Sequence, residues 1–179
     1  AISASSNALL VKYDYTSGDP VWAFVPSTGS TATTTFFDVT TDDSNGIYAT
    51  GTTATSGTYE FGIVTKASVT TVVSDTNAVL IKFNSLGAGI WAESADTASH
   101  RNEFYSLNYD NEAVYVGGYQ NNTSTVIWDA GIETIGPMTN DNSVILKYSL
   151  SGEAIWAKTF SGGPESGRFN GIHATENNV

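Results

Sequence analysis

The stretch NSVILKYSLSGEAIWA, from Asn142 to Ala157, decides the fold, because the chain contains nearly the same stretch three times. The earlier repeats are NALLVKYDYTSGDPVWA, from Asn7 to Ala23, and NAVLIKFNSLGAGIWA, from Asn77 to Ala92. Their lysines are 70 and then 65 residues apart, and their tryptophans are 69 and then 65 residues apart. These residues are Lys12, Lys82 and Lys147, and Trp22, Trp91 and Trp156. Recurrence at a nearly constant spacing is typical of a repeat architecture.

A second shared segment lies between these repeats. It reads FFDVTTDDSNGIYATGTT from Phe36, FYSLNYDNEAVYVGGYQ from Phe104 and FNGIHATENNV from Phe169. A third segment, EFGI at Glu60–Ile63, matches DAGI at Asp129–Ile132. Because order and spacing recur together, the chain is predicted to consist of similar units in series.

Each unit contains four short segments with strand-like composition, which we call segments a to d. Segment a starts at the phenylalanine, b is GIYATGTT or AVYVGGYQ, c is the apolar run with the lysine, and d leads through the tryptophan. Segment c is almost continuously apolar, which predicts burial of both strand faces. Asn-Gly and Ser-Gly pairs favour tight turns between segments. No window has helix caps and a sustained 3.6-residue period, so the sequence predicts an all-β chain.

Four antiparallel strands per unit predict the blades of a β-propeller, whose sheets pack face to face. The tryptophans are expected to fill the gaps between blades, and Gly51 and Gly118 to permit close approach of backbones. The run N-A-x-L-x-K-[YF]…G…W-A, preceded by [IV]-Y-x-x-G, resembles the bacterial-type β-propeller repeat family, the seven-bladed propeller repeats of secreted and surface proteins. The resemblance covers nearly the whole chain, apart from Ser/Thr-rich insertions such as Val64–Thr76. It implies an extracellular or cell-surface setting and no catalytic residues.

The predicted units follow from the segment order. Residues 1–35 hold segments c and d of a first blade, 36–103 a second blade, 104–168 a third, and 169–179 the start of a further blade. The total is about three blade equivalents, whereas propellers usually close with four to eight. We therefore expect either a part of a larger propeller or a subunit that neighbouring subunits complete.

Composition limits the partners. Seven basic and eighteen acidic residues give a net charge of −11, which disfavours nucleic acid and anionic membranes. No apolar run approaches the roughly 20 residues of a membrane-spanning helix, and cysteine is absent. The expected partners are further blades, other protein subunits or glycans.

The polar residues indicate no catalytic, cofactor or metal site. His100 and His173 occupy different repeat positions without recurring partners. Asp42 and Asp43 precede Asn-Gly, which favours a turn over a cation site. Lysines in otherwise apolar strands must pair with a carboxylate or reach water, and we expect a repeated salt bridge or hydrogen bond between blades.

Sugar attachment is a further prediction. QNNTST contains overlapping N-glycosylation sequons at Asn121 and Asn122, which require an exposed loop. The tracts STGSTATTT and TTATSGT are interpreted as loops, with O-linked sugar as the alternative.

Two functions compete. The first is a non-catalytic extracellular structural or interaction module, such as a building block of a surface appendage or fibre. The second is a carbohydrate-active propeller enzyme, a glycosidase or lyase, or a glycan-binding propeller. Its candidate residues, all on or before segment a, are Arg101, Glu103, Arg168 and His173.

Overall fold

The computed structural model describes residues 7–26, 33–121, 125–135, 141–160, 166–175 and 178–179. Within these residues the chain has no helix, and every strand pair is antiparallel. The prediction of an all-β chain is therefore confirmed.

The first repeat forms a two-stranded hairpin of β1 (Leu10–Tyr13) and β2 (Pro20–Phe24). Its turn is closed by main-chain hydrogen bonds from Asp14 to Asp19 and from Gly18 to Asp14. Gly18 has a φ of 74°, a conformation that glycine adopts without a steric penalty.

Two four-stranded sheets follow, in each of which segments a to d pair in chain order. The first sheet has the order β3-β4-β7-β8 and the second β9-β10-β13-β14. The first consists of β3 (Thr34–Thr41), β4 (Ile47–Ala54), β7 (Thr76–Phe83) and β8 (Gly89–Glu93). The second consists of β9 (Asn102–Tyr109), β10 (Ala113–Asn121), β13 (Asp141–Ser149) and β14 (Ala154–Thr159).

Each sheet carries an additional hairpin between its second and third strands. The hairpins are β5 (Gly57–Phe61) with β6 (Ala67–Thr71), and β11 (Thr125–Asp129) with β12 (Ile132–Ile135). The interpretation of TTATSGT as a loop was wrong, because its residues lie mainly in β4 and β5. Alternate residues of β6 are buried, so this polar segment has one apolar face. Most of STGSTATTT lies outside the described residues.

A glycine in the second strand of each sheet allows the first strand to bulge. The register shifts between Phe36 and Asp38 of β3, and at Gly118 of β10 opposite β9. A Cβ on Gly51 would lie 1.9 Å from the Thr35 carbonyl oxygen, and one on Gly118 would lie 1.8 Å from that of Glu103. Both contacts are with main chain, so only glycine fits.

Strand β7 is buried on both faces, as its apolar sequence predicts. Val79, Ile81 and Phe83 belong to a core shared with the β1–β2 hairpin. Ala78 and Leu80, which point the other way, belong to the core between the two sheets. The apolar faces of consecutive units therefore pack against each other in series.

Candidate functional site

The repeated lysines and tryptophans lie side by side on each sheet. In the first sheet, Lys82 is in register with Tyr48 on one side and with Trp91 on the other. The same row in the second sheet holds Tyr115, Lys147 and Trp156, and the first hairpin pairs Lys12 with Trp22. Residues directly opposite in neighbouring strands share a face, so each row presents its side chains together.

The rows of the first hairpin and of the first sheet each bind one main-chain carbonyl of the next unit. Lys82 Nζ and Trp91 Nε1 both donate to the carbonyl oxygen of Leu150, at 3.3 and 3.0 Å. Lys12 Nζ and Trp22 Nε1 donate in the same way to that of Ser85, at 3.0 and 3.1 Å. We call the lysine and tryptophan of one repeat a carbonyl clamp. Its target is the turn between the third and fourth strands of the next sheet.

An aspartate and a tyrosine hold the lysine of the clamp in the first sheet. Lys82 Nζ lies 3.4 Å from Asp42 Oδ2 and 4.8 Å from the centre of the Tyr48 ring. The Tyr48 hydroxyl donates to the same carboxylate at 3.1 Å. The Lys82 and Asp42 side chains are only 17% and 6% exposed, so the pair is shielded from solvent. The salt bridge is within one sheet, whereas the contact between sheets is the hydrogen bond to a carbonyl.

Asp42 also fixes the turn that leads to Tyr48. Its Oδ1 accepts hydrogen bonds from the main-chain nitrogens of Ser44 and Gly46. Burial acts to raise the pKa of Asp42, but the hydrogen bonds from Gly46, Tyr48 and Lys82 outweigh it and hold the pKa below its usual value. Burial and the neighbouring Asp42 carboxylate raise the pKa of Tyr48. Asp42 is therefore an ionised turn residue that serves the clamp.

The second sheet repeats this arrangement. Lys147 Nζ lies 5.2 Å from the centre of the Tyr115 ring, and the Tyr115 hydroxyl donates to Asp110 Oδ2 at 2.8 Å. The hydrogen bond with Tyr115 raises the pKa of Lys147. Within the described residues, no main-chain carbonyl accepts a hydrogen bond from Lys147 or Trp156. Lys147 and Trp156 thus form a third lysine–tryptophan pair, for which the described residues supply no acceptor.

We expect Lys82→Met to lower the free energy of unfolding by about 2 kcal/mol, because it leaves a buried carboxylate without its charged partner. Lys12→Met is the matched control. Lys12 makes the same carbonyl bond, but no carboxylate among the described residues forms an ion pair with it, so a loss of about 1 kcal/mol is expected. Urea unfolding of both variants checks the difference. Equal losses would show that Asp42 does not contribute.

The candidate enzyme residues are only partly brought together. Glu103 accepts hydrogen bonds from the Tyr105 and Tyr119 hydroxyls, at 2.6 and 2.8 Å. The Arg168 and Arg101 guanidinium groups lie 5.3 and 5.5 Å from the centres of the same two rings. His173 lies elsewhere, in the groove beside β14. The Arg–Tyr–Glu cluster therefore contains three of the four predicted residues and two tyrosines that sequence reasoning missed.

Three carboxylates, those of Glu93, Asp96 and Asp129, lie near one another where the β11–β12 hairpin meets the first sheet. Burial, with the charges of Asp129 and Asp96, raises the pKa of Glu93 to about 7. The buried Tyr148 hydroxyl has no hydrogen-bond partner within the described part of the chain. Its pKa is raised by burial and by these three carboxylates. No group of three or more His, Asp or Glu among the described residues is arranged to hold a metal ion.

Glu93 makes stability depend on pH. Its folded-state pKa of about 7 exceeds the usual 4.5. The contribution of Glu93 to the free energy of unfolding is therefore largest below pH 4.5 and is lost as pH rises through 7. Glu93→Gln should therefore stabilise the protein at pH 8 by about 1–2 kcal/mol, allowing for partial solvent screening, and have little effect at pH 4. Thermal unfolding at both pH values measures this, with Glu133→Gln as an exposed control. A gain that is equal at both pH values would contradict the assignment.

The other predicted residues have mainly structural surroundings. Asn121 ends β10, and its Nδ2, the atom that would carry a glycan, donates to Asp141 Oδ1 at 2.7 Å. Asn122 lies outside the described residues. Glu60 forms an exposed ion pair with Lys66, whereas Asp129 accepts a hydrogen bond from Ala154 N. Glu60 and Asp129, which hold equivalent positions in the EFGI and DAGI segments, thus have different partners.

No protein-family model matches the chain, and no curated protein sequence is significantly similar to it. Among the described residues there is no helix of the length and apolar character that crossing a membrane requires.

Proposed function

We propose that the chain is a non-catalytic extracellular interaction module with β-propeller architecture, and a building block of a surface assembly. The observation that carries this proposal is the recurrence of one contact: two carbonyl clamps join consecutive units, and Lys147 with Trp156 forms a third pair of the same kind. A sheet that covers its neighbour in this way exposes an equivalent face to the next unit.

A second repeated contact supports the propeller arrangement. Asp38 Oδ2 accepts a hydrogen bond from Leu107 N at 2.9 Å, and Ser106 Oγ accepts one from Ile172 N at 3.1 Å. Asp38 and Ser106 hold the same position in their repeats, as do Leu107 and Ile172. Segment a of one unit therefore contacts segment a of the next in the same way twice, as blades around a common axis would. The net charge of −11 suits a surface that avoids nucleic acid and anionic membranes.

The test is sedimentation velocity of the purified chain over a range of concentrations, together with turnover assays on a glycan panel. We expect self-association that increases with concentration, and no turnover. A compact, stable monomer of 18.9 kDa at every concentration would contradict the proposal.

Glycan binding is the second candidate, supported by the Arg–Tyr–Glu cluster. Phe37, which is 44% exposed, contacts the Tyr105 ring at 4.9 Å, so an aromatic surface lies beside Arg168. Catalysis has less support, because both tyrosine hydroxyls already engage Glu103 and glycosidic hydrolysis generally uses two opposed carboxylates. Turnover that Glu103→Gln and Arg168→Met abolish would establish the enzyme instead.

A further inference from the structure

Both arginines of the chain lie beside one pair of stacked tyrosines. The guanidinium groups of Arg101 and Arg168, the chain's only arginines, lie near the Tyr119 and Tyr105 rings, whose centres are 6.0 Å apart. Arg101 has a charged partner, because its Nη2 lies 3.6 Å from Asp141 Oδ1, and the Tyr119 ring beside it is buried. Within the described part of the chain, no carboxylate forms an ion pair with Arg168, which is exposed. Arg168 is therefore the cation of this cluster that is available to a ligand.

The main chain on both sides of Arg168 is fixed to the second sheet. Gly167 N donates to Asp141 O at 3.0 Å, and Phe169 N donates to Gly118 O at 3.1 Å. Because its two neighbours are held, Arg168 loses less conformational freedom on binding a ligand than it would in an unattached loop. The chain thus presents this guanidinium from a rigid position.

An exposed aromatic ring extends the surface next to Arg168. The centre of the Tyr105 ring lies 4.9 Å from that of the exposed Phe37 ring and 5.3 Å from the Arg168 guanidinium carbon, so Tyr105 contacts both. The Tyr105 hydroxyl donates to Glu103 Oε2 at 2.6 Å, which fixes the ring. The three side chains come from β3, β9 and the segment 166–175, so the surface crosses three consecutive units.

This combination of groups suits a sugar that carries a carboxylate. A guanidinium binds a carboxylate through two parallel hydrogen bonds, and an exposed aromatic ring offers an apolar face to the C–H groups of a sugar ring. Glu103, which accepts hydrogen bonds from both tyrosine hydroxyls, would repel a second carboxylate nearby. The net charge of −11 also repels a densely charged polymer. The chemistry therefore favours one acidic sugar next to a neutral one.

We propose that Arg168 binds the carboxylate of an acidic sugar whose neutral neighbour packs on Phe37, so that the chain recognises uronate-containing glycans. This inference rests on glycan binding, the second candidate function, and names its ligand class. It does not depend on self-association of the chain. Tyr105, which contacts both groups, keeps them at a fixed separation, and Arg101 remains paired with Asp141.

The test is an NMR titration of the 179-residue chain with glucuronosyl-galactose, and with its methyl ester as the neutral probe, at about 0.15 M salt. We expect the acid to bind about tenfold more tightly than the ester, because charge-assisted hydrogen bonds are stronger than neutral ones. Arg168→Met should raise the dissociation constant of the acid about tenfold and leave that of the ester within about twofold. Phe37→Ala should weaken both probes about fivefold. Both side chains are exposed, so these variants should keep the wild-type melting temperature.

Lys66→Met is the matched control, because it also removes one exposed positive charge, on the β5–β6 hairpin. It should leave both dissociation constants within about twofold. Equal affinity for acid and ester, or a larger loss for Arg101→Met than for Arg168→Met, would overturn this inference and leave glycan binding standing. Hexaglutamate that binds as tightly as the acid would also overturn it, since the site would then recognise an acidic peptide. Binding of neither sugar would overturn both this inference and glycan binding, whereas sedimentation tests the interaction module separately.

Discussion

Gly118→Ala should destabilise the protein by about 3 kcal/mol or more. The added methyl group would lie 1.8 Å from the Glu103 carbonyl oxygen, and the nearby atoms are main chain of β9, so no side-chain rotation relieves the clash. Strand β9 would have to move away from β10, which would disrupt hydrogen bonds of the second sheet and the contact with the first. Overpacking of this kind costs 1–3 kcal/mol where side chains can adjust. The measurement is the free energy of unfolding in urea.

Gly171→Ala provides the matched control, because a Cβ on Gly171 meets no atom within 4 Å. We expect a change within about 0.5 kcal/mol. If Gly118→Ala were as mild as Gly171→Ala, the close approach of β9 and β10 would not exist, and the first strand would not bulge as described.

Trp128→Ala should cost about 3–5 kcal/mol, the usual range for a buried aromatic residue. The side chain is 1% exposed, its ring stacks on Phe104 at 5.4 Å, and its Nε1 donates to Thr134 Oγ1 at 2.8 Å. The variant would therefore leave a large cavity between the β11–β12 hairpin and the second sheet. Trp128→Phe keeps an aromatic ring and should lose about 1–2 kcal/mol. A loss below about 1 kcal/mol for Trp128→Ala would contradict the hairpin packing.

The sequence predicted those strands whose positions in the fold admit only certain residue types. The apolar composition of segment c correctly predicted burial of both faces of β7 but not of β1, where Tyr13 is 60% exposed; Gly118 must lack a side chain, as its position predicted. The additional hairpins were missed because Ser and Thr fill their exposed positions. Their signal was the alternation of Ala67, Val69 and Thr71 with Ser68 and Thr70, which gives one buried face.

The candidate site was predicted in part. The repeated lysines and tryptophans pointed to contacts between units, but their acceptor is a main-chain carbonyl, which any residue supplies. Ser85 and Leu150 therefore share no side-chain signature. The tyrosines that flank the lysines carried a signal in the recurring [IV]-Y of segment b, and the aspartate of the preceding turn recurs with it. Their common register becomes visible only when the strands are paired.

The repeated clamp accounts for an otherwise costly feature of the chain. A lysine in a buried strand is unfavourable without partners, yet three repeats retain one. In the first sheet, Lys82 joins Asp42 of its own sheet to a carbonyl of the next. The same residues that stabilise one sheet thus position it on its neighbour.

Hydrogen exchange of the four indole N–H groups, followed by NMR at a concentration where the chain is monomeric, tests the clamps most directly. Trp22 and Trp91 should exchange slowly because each donates to a turn carbonyl, and Trp128 should exchange most slowly because it is buried. Trp156, for which the described residues supply no acceptor, should exchange fastest. Exchange of Trp22 and Trp91 as fast as that of Trp156 would contradict the clamps.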